Sequence, residues 1–203
     1  MKRIGLMGCG KVAAYGHLPV LHASEDWDLH AIFDPDAGRL AEAAERFAVP
    51  HACTDVDAFF QAGLDAVAIT SPAPCHAANV ADAARHGCHI LCEKPLAMDE
   101  AEGTDMVRAA AAAGVMLATG FDYRFSPVSM RIRDMVSARV IGDVLSLRLV
   151  YIWNCHGKYE RDAGGHPVEQ ARRAGRMEEG GPMVDCGVHQ IDLARWWLGS
   201  EVA

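Results

Sequence analysis

The first 120 residues alternate short, unbroken apolar runs with alanine-rich segments of helical spacing, and that alternation restricts the chain to one kind of sheet. The runs are Arg3–Met7, Leu29–Phe33, Ala66–Ile69, His89–Cys92 and Met116–Thr119. A strand that is apolar on both faces must be covered on both, and parallel neighbours need crossovers of about a dozen residues or more. Helical spacing over Pro35–Phe47, His76–Arg85 and Asp99–Ala113 supplies those crossovers. The expectation is an α/β fold with a doubly wound parallel sheet. Gly87 and Gly114 fall just past two of these helices, where a left-handed C-cap is wanted. Pro19 comes early in Lys11–His22, which predicts a kinked or split helix there.

The pattern changes after Gly120. Ser126–Ser137 reads as a helix with Pro127 in its first turn, and Asp143–Trp153 alternates as a half-buried antiparallel strand. Asn154–Glu179 is polar, glycine-containing and without period, so it reads as a long loop of functional or mobile character. Gly180-Gly181-Pro182 then opens a helix that runs to about Leu198 and stops at Gly199. Two domains are implied, residues 1–122 and 123–203. The second, with one clear strand and two helices, cannot build a substantial sheet alone. Either a further C-terminal segment or a partner chain, such as a homo-oligomer, completes it.

A net charge of −8 and the lack of a basic cluster argue against nucleic acid or an anionic membrane as a partner. No apolar run is long enough to span a bilayer, and the short stretch after Met1 enters a glycine turn, unlike a signal peptide. Seven cysteines, an odd number scattered through apolar segments, read as reduced, buried thiols of a cytoplasmic protein.

Three constellations carry chemistry. Gly8-Cys9-Gly10-Lys11-Val12-Ala13 is G-x-G-x-x-A, with a strand before it and a helix after it. The first glycine permits the turn, the second admits a pyrophosphate, and the small third residue allows close packing against the helix. Asp34, at the end of the second strand, can accept both ribose hydroxyls of NAD and repels a 2′-phosphate. NAD is therefore expected ahead of NADP, although Arg39 is near enough to complicate the choice. The competing explanation is a coincidental turn with Asp34 capping the next helix.

Lys94 is one of only four lysines against fifteen arginines, and it follows an apolar strand between Glu93 and Pro95. A compact ammonium of adaptable pKa suits polarising a substrate oxygen. It reads equally as a strand-end cation before a loop proline. Asp185 and His189 stand four apart, on one helix face, with Asp192 nearby, which suits a carboxylate-oriented general base or a plain ion pair. Ser71, Pro72 and His76 follow a strand at the carboxyl edge, where they either touch a nicotinamide or merely start a helix. Asp122 and Arg124 occupy the domain junction, a usual place for a substrate pocket. The Cys186/His189 and Cys88/His89/Cys92 spacings have no matched second pair, so no metal site is expected. Trp196-Trp197 reads as core.

In order, Gly8–Ala13, Thr70-Ser71-Pro72…His76, Glu93-Lys94-Pro95-Leu96-Ala97, Phe121…Arg124-Phe125 and Gly180-Gly181…Asp185-x-Gly187-x-His189-x-x-Asp192 resemble the Gfo/Idh/MocA family of oxidoreductases. The resemblance implies a Rossmann domain followed by an α/β domain with a large, mostly antiparallel sheet, here incomplete. It implies NAD-dependent hydride transfer to or from a secondary alcohol of a sugar, cyclitol or polyol. Lys94, Asp185 and His189 would act together, with His189 as proton acceptor. Gly8, Gly10, Lys11, Val12, Ala13, Asp34, Ser71, Pro72, His76, Glu93 and Lys94 would contact the cofactor, and Asp122, Arg124, Asp185 and His189 the substrate. Asp122 departs from the family's usual asparagine, and Ala73 also stands where many members carry one. The rival reading is a non-catalytic dinucleotide-binding protein or a truncated remnant of such an enzyme.

Overall fold

The computed structural model describes residues 1–152, 181 and 183–201, which fall into two compact units, Met1–Gly120 and Phe121–Ala203. In the first unit the strands are β1 (Lys2–Met7), β2 (Trp27–Phe33), β3 (His51–Cys53), β4 (Ala66–Ile69), β5 (His89–Cys92) and β6 (Leu117–Thr119). They form a six-stranded sheet in the order β3-β2-β1-β4-β5-β6, parallel throughout. The order reverses between β1 and β4, the point at which open α/β sheets leave a crevice at their carboxyl ends. Between the strands run α1 (Leu18–His22), α2 (Ala37–Phe47), α3 (Val56–Gln61), α4 (His76–Arg85) and α5 (Glu100–Ala113).

Strand pleat sorts the core. Along β4, Ala66 and Ala68 face a cluster with Ile4, Leu6, Leu18, Leu40 and Phe47, while Val67 and Ile69 face one with Phe59, Phe60, Val80 and Met106. Both faces are thus apolar and covered, as the unbroken runs predicted. Pro19 acts as expected. It cannot donate an i→i−4 hydrogen bond, and the helix opened at Lys11 passes through a π turn, Ala13–His17, before α1. β3 and α3 were not foreseen, because His51–Cys53 is a three-residue edge strand, largely exposed and without an apolar run.

Helix ends follow the sequence signals where they are local. Gly114 caps α5 in the left-handed conformation, and the Asp99 carboxylate receives the Glu102 N–H at its start. At α4 the left-handed residue is again glycine, Gly87. No helix among the described residues is long and apolar enough to cross a membrane. The six described cysteines are free, and Cys75 is exposed, contrary to the expectation of uniformly buried thiols.

The second unit holds α6 (Pro127–Ser137), a π turn at Met183–Gly187 and α7 (Val188–Leu198). Ser126 is the N-cap of α6, its side chain accepting from Ser129 N–H, and Pro127 fills the first helical position. Gly199 ends α7 in the left-handed conformation. The strand expected over Asp143–Trp153 is not formed through residue 152, and the Tyr151 hydroxyl instead meets that of Tyr123. Leu145 and Ile152 are 96% and 91% exposed. Trp153, the long loop 154–179, Gly180 and Pro182 lie outside the described residues.

Candidate active site

The glycine turn is built by close approach of two loops. Gly8 has φ +98°, and a Cβ there would lie 2.6 Å from the Ser71 backbone nitrogen, so only glycine fits. Its N–H donates to Phe33 O at 2.8 Å and its carbonyl accepts from Thr70 Oγ1 at 2.7 Å. Gly10 has open space where a side chain would stand, and Ala13 is fully buried where the helix packs. Lys11 and Val12 sit on the exposed side of the turn. These positions fit a dinucleotide phosphate: a backbone free to approach, a helix start, and no side chain in the way.

Asp34 is buried beside this turn. Its Oδ2 accepts from Cys9 N–H at 2.8 Å and its Oδ1 from Asp36 N–H at 2.8 Å. It does not cap α2. Asp36 does, accepting from Gly38 and Arg39 N–H groups at 2.9 Å each. Burial, then the Asp34 charge, pushes the Cys9 thiol up to about 12, which leaves it protonated and unreactive.

At the carboxyl ends of β4 and β5 a second set of contacts forms. His76 is 1% exposed, its Nδ1 lying 2.8 Å from Pro95 O and its Nε2 2.9 Å from Ser71 O. Asn79 donates to Ser71 Oγ at 2.8 Å. The His76 ring thus braces two loops, and the Ser71 hydroxyl accepts from Asn79. Pro72 is exposed beside them, and the Lys94–Pro95 bond is cis.

Glu93 is also internally engaged. Its Oε1 meets His17 Nε2 at 2.8 Å, and its Oε2 accepts from Lys94 N–H at 3.1 Å. A Cβ on Gly120 would lie 3.3 Å from the Glu93 carboxyl carbon, so this glycine makes room for the carboxylate. Burial raises the Glu93 pKa, but the His17 hydrogen bond and charge, with those of Lys94, outweigh it and hold the carboxyl below its ordinary value. His17 escaped the sequence reading because only the fold brings it to Glu93. Lys94 itself is half-buried at the end of this strand.

In the second unit, Asp122–Phe125 forms a 3₁₀ turn. Arg124 grips Asp192 with Nε (2.7 Å to Oδ2) and Nη2 (to Oδ1), and its guanidinium lies 5.9 Å from both the Phe121 and Trp196 ring centres. The structure therefore gives Asp192 to Arg124 and spends that arginine's fork on packing α7. Trp197, buried as expected, donates to Ser129 O at 2.9 Å.

His189 is buried on the first turn of α7. The Tyr123 ring stacks on it at 4.2 Å and 15°, Phe121 meets it edge-on, and its Nδ1 lies 3.7 Å from Asp122 Oδ1. Asp185 sits on the preceding π turn, Met183–Gly187, where a regular helix was expected. Tyr123 was not singled out from sequence. Its phenol is raised, first by burial and then by a hydrogen bond with Tyr151.

Residues 2–121 match the family described as an oxidoreductase family with an NAD-binding Rossmann fold, and residues 129–203 match the GFO/IDH/MocA C-terminal domain. The chain belongs to the Gfo/Idh/MocA family. Among its Gfo/Idh/MocA relatives are myo-inositol 2-dehydrogenase of Thermotoga maritima, 30% identical over 98% of this chain and 56% of that protein, and D-glucoside 3-dehydrogenase of Escherichia coli, 28% identical over 97% and 54%. The crystal structure of a probable dehydrogenase from Thermotoga maritima superposes with a TM-score of 0.79 at 27% identity, over 98% of this chain and 56% of that one. The chain thus spans about half the length of the curated relatives it matches.

Proposed function

We propose that this chain carries the dinucleotide-binding domain, residues 1–122, and part of a substrate and oligomerisation domain, residues 123–203, of an NAD-dependent dehydrogenase. Its substrate is a secondary alcohol on a sugar, cyclitol or related polyol. One observation carries the reading: a buried carboxylate, Asp34, held at the end of β2 against the Cys9 N–H of a glycine turn that no side chain obstructs. The relatives named above act on inositol and glucosides, which supports the substrate class.

Bound at the glycine turn, the nicotinamide cofactor supplies the hydride acceptor. Among the chain's own residues, His189 takes the hydroxyl proton, Asp185 orients the imidazole, and Lys94 stabilises the developing oxyanion. Tyr123 fixes the plane of the His189 ring by stacking. Asp122, 76% exposed, keeps its carboxylate for the substrate, while Arg124 positions the turn that carries it. Glu93, tied to His17, aims the Lys94 loop.

Residues 144–152 belong, in this reading, to the mostly antiparallel sheet of the second domain. The protein works in the cytoplasm as a homo-oligomer, and the free thiols support that compartment. The unpaired segment 144–152 favours one rival, a dinucleotide-binding protein without catalysis. Reduction of NAD screened across a panel of sugars and cyclitols separates the two. Turnover that depends on a polyol supports the enzyme, and tight NAD binding with no turnover on any member of the panel supports the rival.

A further inference from the structure

Three consecutive residues, Phe121, Asp122 and Tyr123, meet the one imidazole of His189. The ring is buried, so an imidazolium formed there has little water to stabilise it. Tyr123 lies over its face at 4.2 Å, and a π face attracts a cation stacked on it. Asp122 Oδ1 stands 3.7 Å from Nδ1, longer than a hydrogen bond but within the range of an ion pair. Both contacts favour the protonated ring over the neutral one. The carboxylate also favours the tautomer with its hydrogen on Nδ1, which leaves Nε2 to accept a proton. Only one Asp122 oxygen is used in this way, so the second remains for the substrate.

Tyr123 is itself held. Its phenol meets the Tyr151 hydroxyl, and burial, then that bond, raises its pKa, so it stays neutral while a histidine titrates. Other charges packed around α7 are matched: Asp192 lies in the fork of Arg124, and Arg195 pairs with Glu201. Arg133 of α6 lies over the Trp196 ring and pairs with Asp134. Asp185 and Cys186 stand on the π turn that leads into α7. All of these are kept when Asp122 or Tyr123 is replaced, so a change in His189 reports those two residues.

We propose that Asp122 and Tyr123 are positioning residues for His189: they fix its ring and stabilise the imidazolium it becomes on taking a proton. In the reaction inferred above, the alcohol C–H leaves as hydride, the O–H proton passes to Nε2, and a carbonyl and an imidazolium remain. The charge created on the ring meets a carboxylate and a π face already in place, so little reorganisation is needed. The acceptor role rests on that reading, whereas the hold on the ring does not.

The test is an NMR titration of the His189 ring in the 203-residue chain, its resonance assigned by loss in His189→Gln. Asp122→Asn should lower the midpoint by about 0.5, the scale of an exposed ion pair. Tyr123→Leu should lower it by about as much, and Tyr123→Phe, which keeps the ring, should hold it within about 0.2. In NAD reduction across the panel above, the acid limb of kcat/KM should move to lower pH by the same amount. The plateau should fall about twofold, because a weaker base accepts the proton less readily. A midpoint unmoved in either Asp122→Asn or Tyr123→Leu would overturn the proposal. So would an equal loss of turnover at every pH with the limb fixed, the mark of a merely structural role. Should thermal unfolding show that Tyr123→Leu does not fold, Asp122→Asn, a same-sized change at an exposed carboxylate, decides alone. Midpoints that move in a chain with no turnover on any alcohol would sink the dehydrogenase reading and leave the hold on His189 standing.

Discussion

At the residue scale, carboxylates in each unit are already engaged by partners of the same unit. Asp34 holds the glycine turn, Glu93 holds His17 and the Lys94 N–H, and Asp192 holds Arg124. The Glu93 assignment makes a signed prediction. Its folded pKa is depressed, so its stabilisation is full above the ordinary carboxylate value near about 4.3 and is lost as pH falls through the folded value. Glu93→Gln should therefore cost about 1–2 kcal/mol at neutral pH, the scale of a part-buried charge-assisted hydrogen bond. The gap from wild type should close as denaturation is repeated in more acid solution. A gap that persists at pH 3 would mean that packing, not charge, makes the contribution. For Lys94→Ala we expect dinucleotide affinity within a few-fold of wild type and turnover lower by about two to three orders of magnitude. Near-normal turnover would remove this ammonium from the chemistry.

Elements are where local sequence and packing agree most closely. Unbroken apolar runs became parallel strands because both faces of the sheet are covered, and Asp99 and Gly114 end α5 as their backbone preferences require. Phe59, on the short α3, is fully buried among Phe33, Phe60, Val67 and Ile69. Phe59→Ala should destabilise by about 3–5 kcal/mol in urea or thermal denaturation, the usual cost of an aromatic-sized core void. A loss under about 1 kcal/mol would show that the face collapses around the gap. The same helix shows why its neighbourhood escaped the sequence reading. β3 and α3 are three and six residues long, too short for a period to declare itself. In the second unit a π turn at Met183–Gly187 stands where a regular helix was expected, a change that local propensity does not encode.

For the whole molecule, stability is expected to be uneven. β1, β4 and β5 lie inside a six-stranded sheet, whereas residues 144–152 belong to no helix or strand. Hydrogen exchange should find the central strands slowest and residues 144–152 near free-chain rates. NADH at about a hundred times its dissociation constant should add about 2.7 kcal/mol to the opening of sheet amides and nothing to 144–152. Slow exchange across 144–152 in the isolated chain would show that this segment finds strand partners in solution. The sequence by itself determined the strand-and-helix alternation, the parallel sheet, the roles of Gly8, Gly10 and Ala13, and the place of Asp34. Each of these follows from backbone geometry and burial over a few consecutive residues. Only the tertiary structure decided that Glu93 belongs to His17, 76 positions away, that Asp192 belongs to Arg124, 68 away, and that His76 braces two loops. A charged side chain has many possible partners along a chain. In the first unit the crossovers of the sheet choose among them by bringing distant loops to one edge, and in the second the packing of α7 against the 3₁₀ turn does so, where burial makes an unpaired charge too costly to keep.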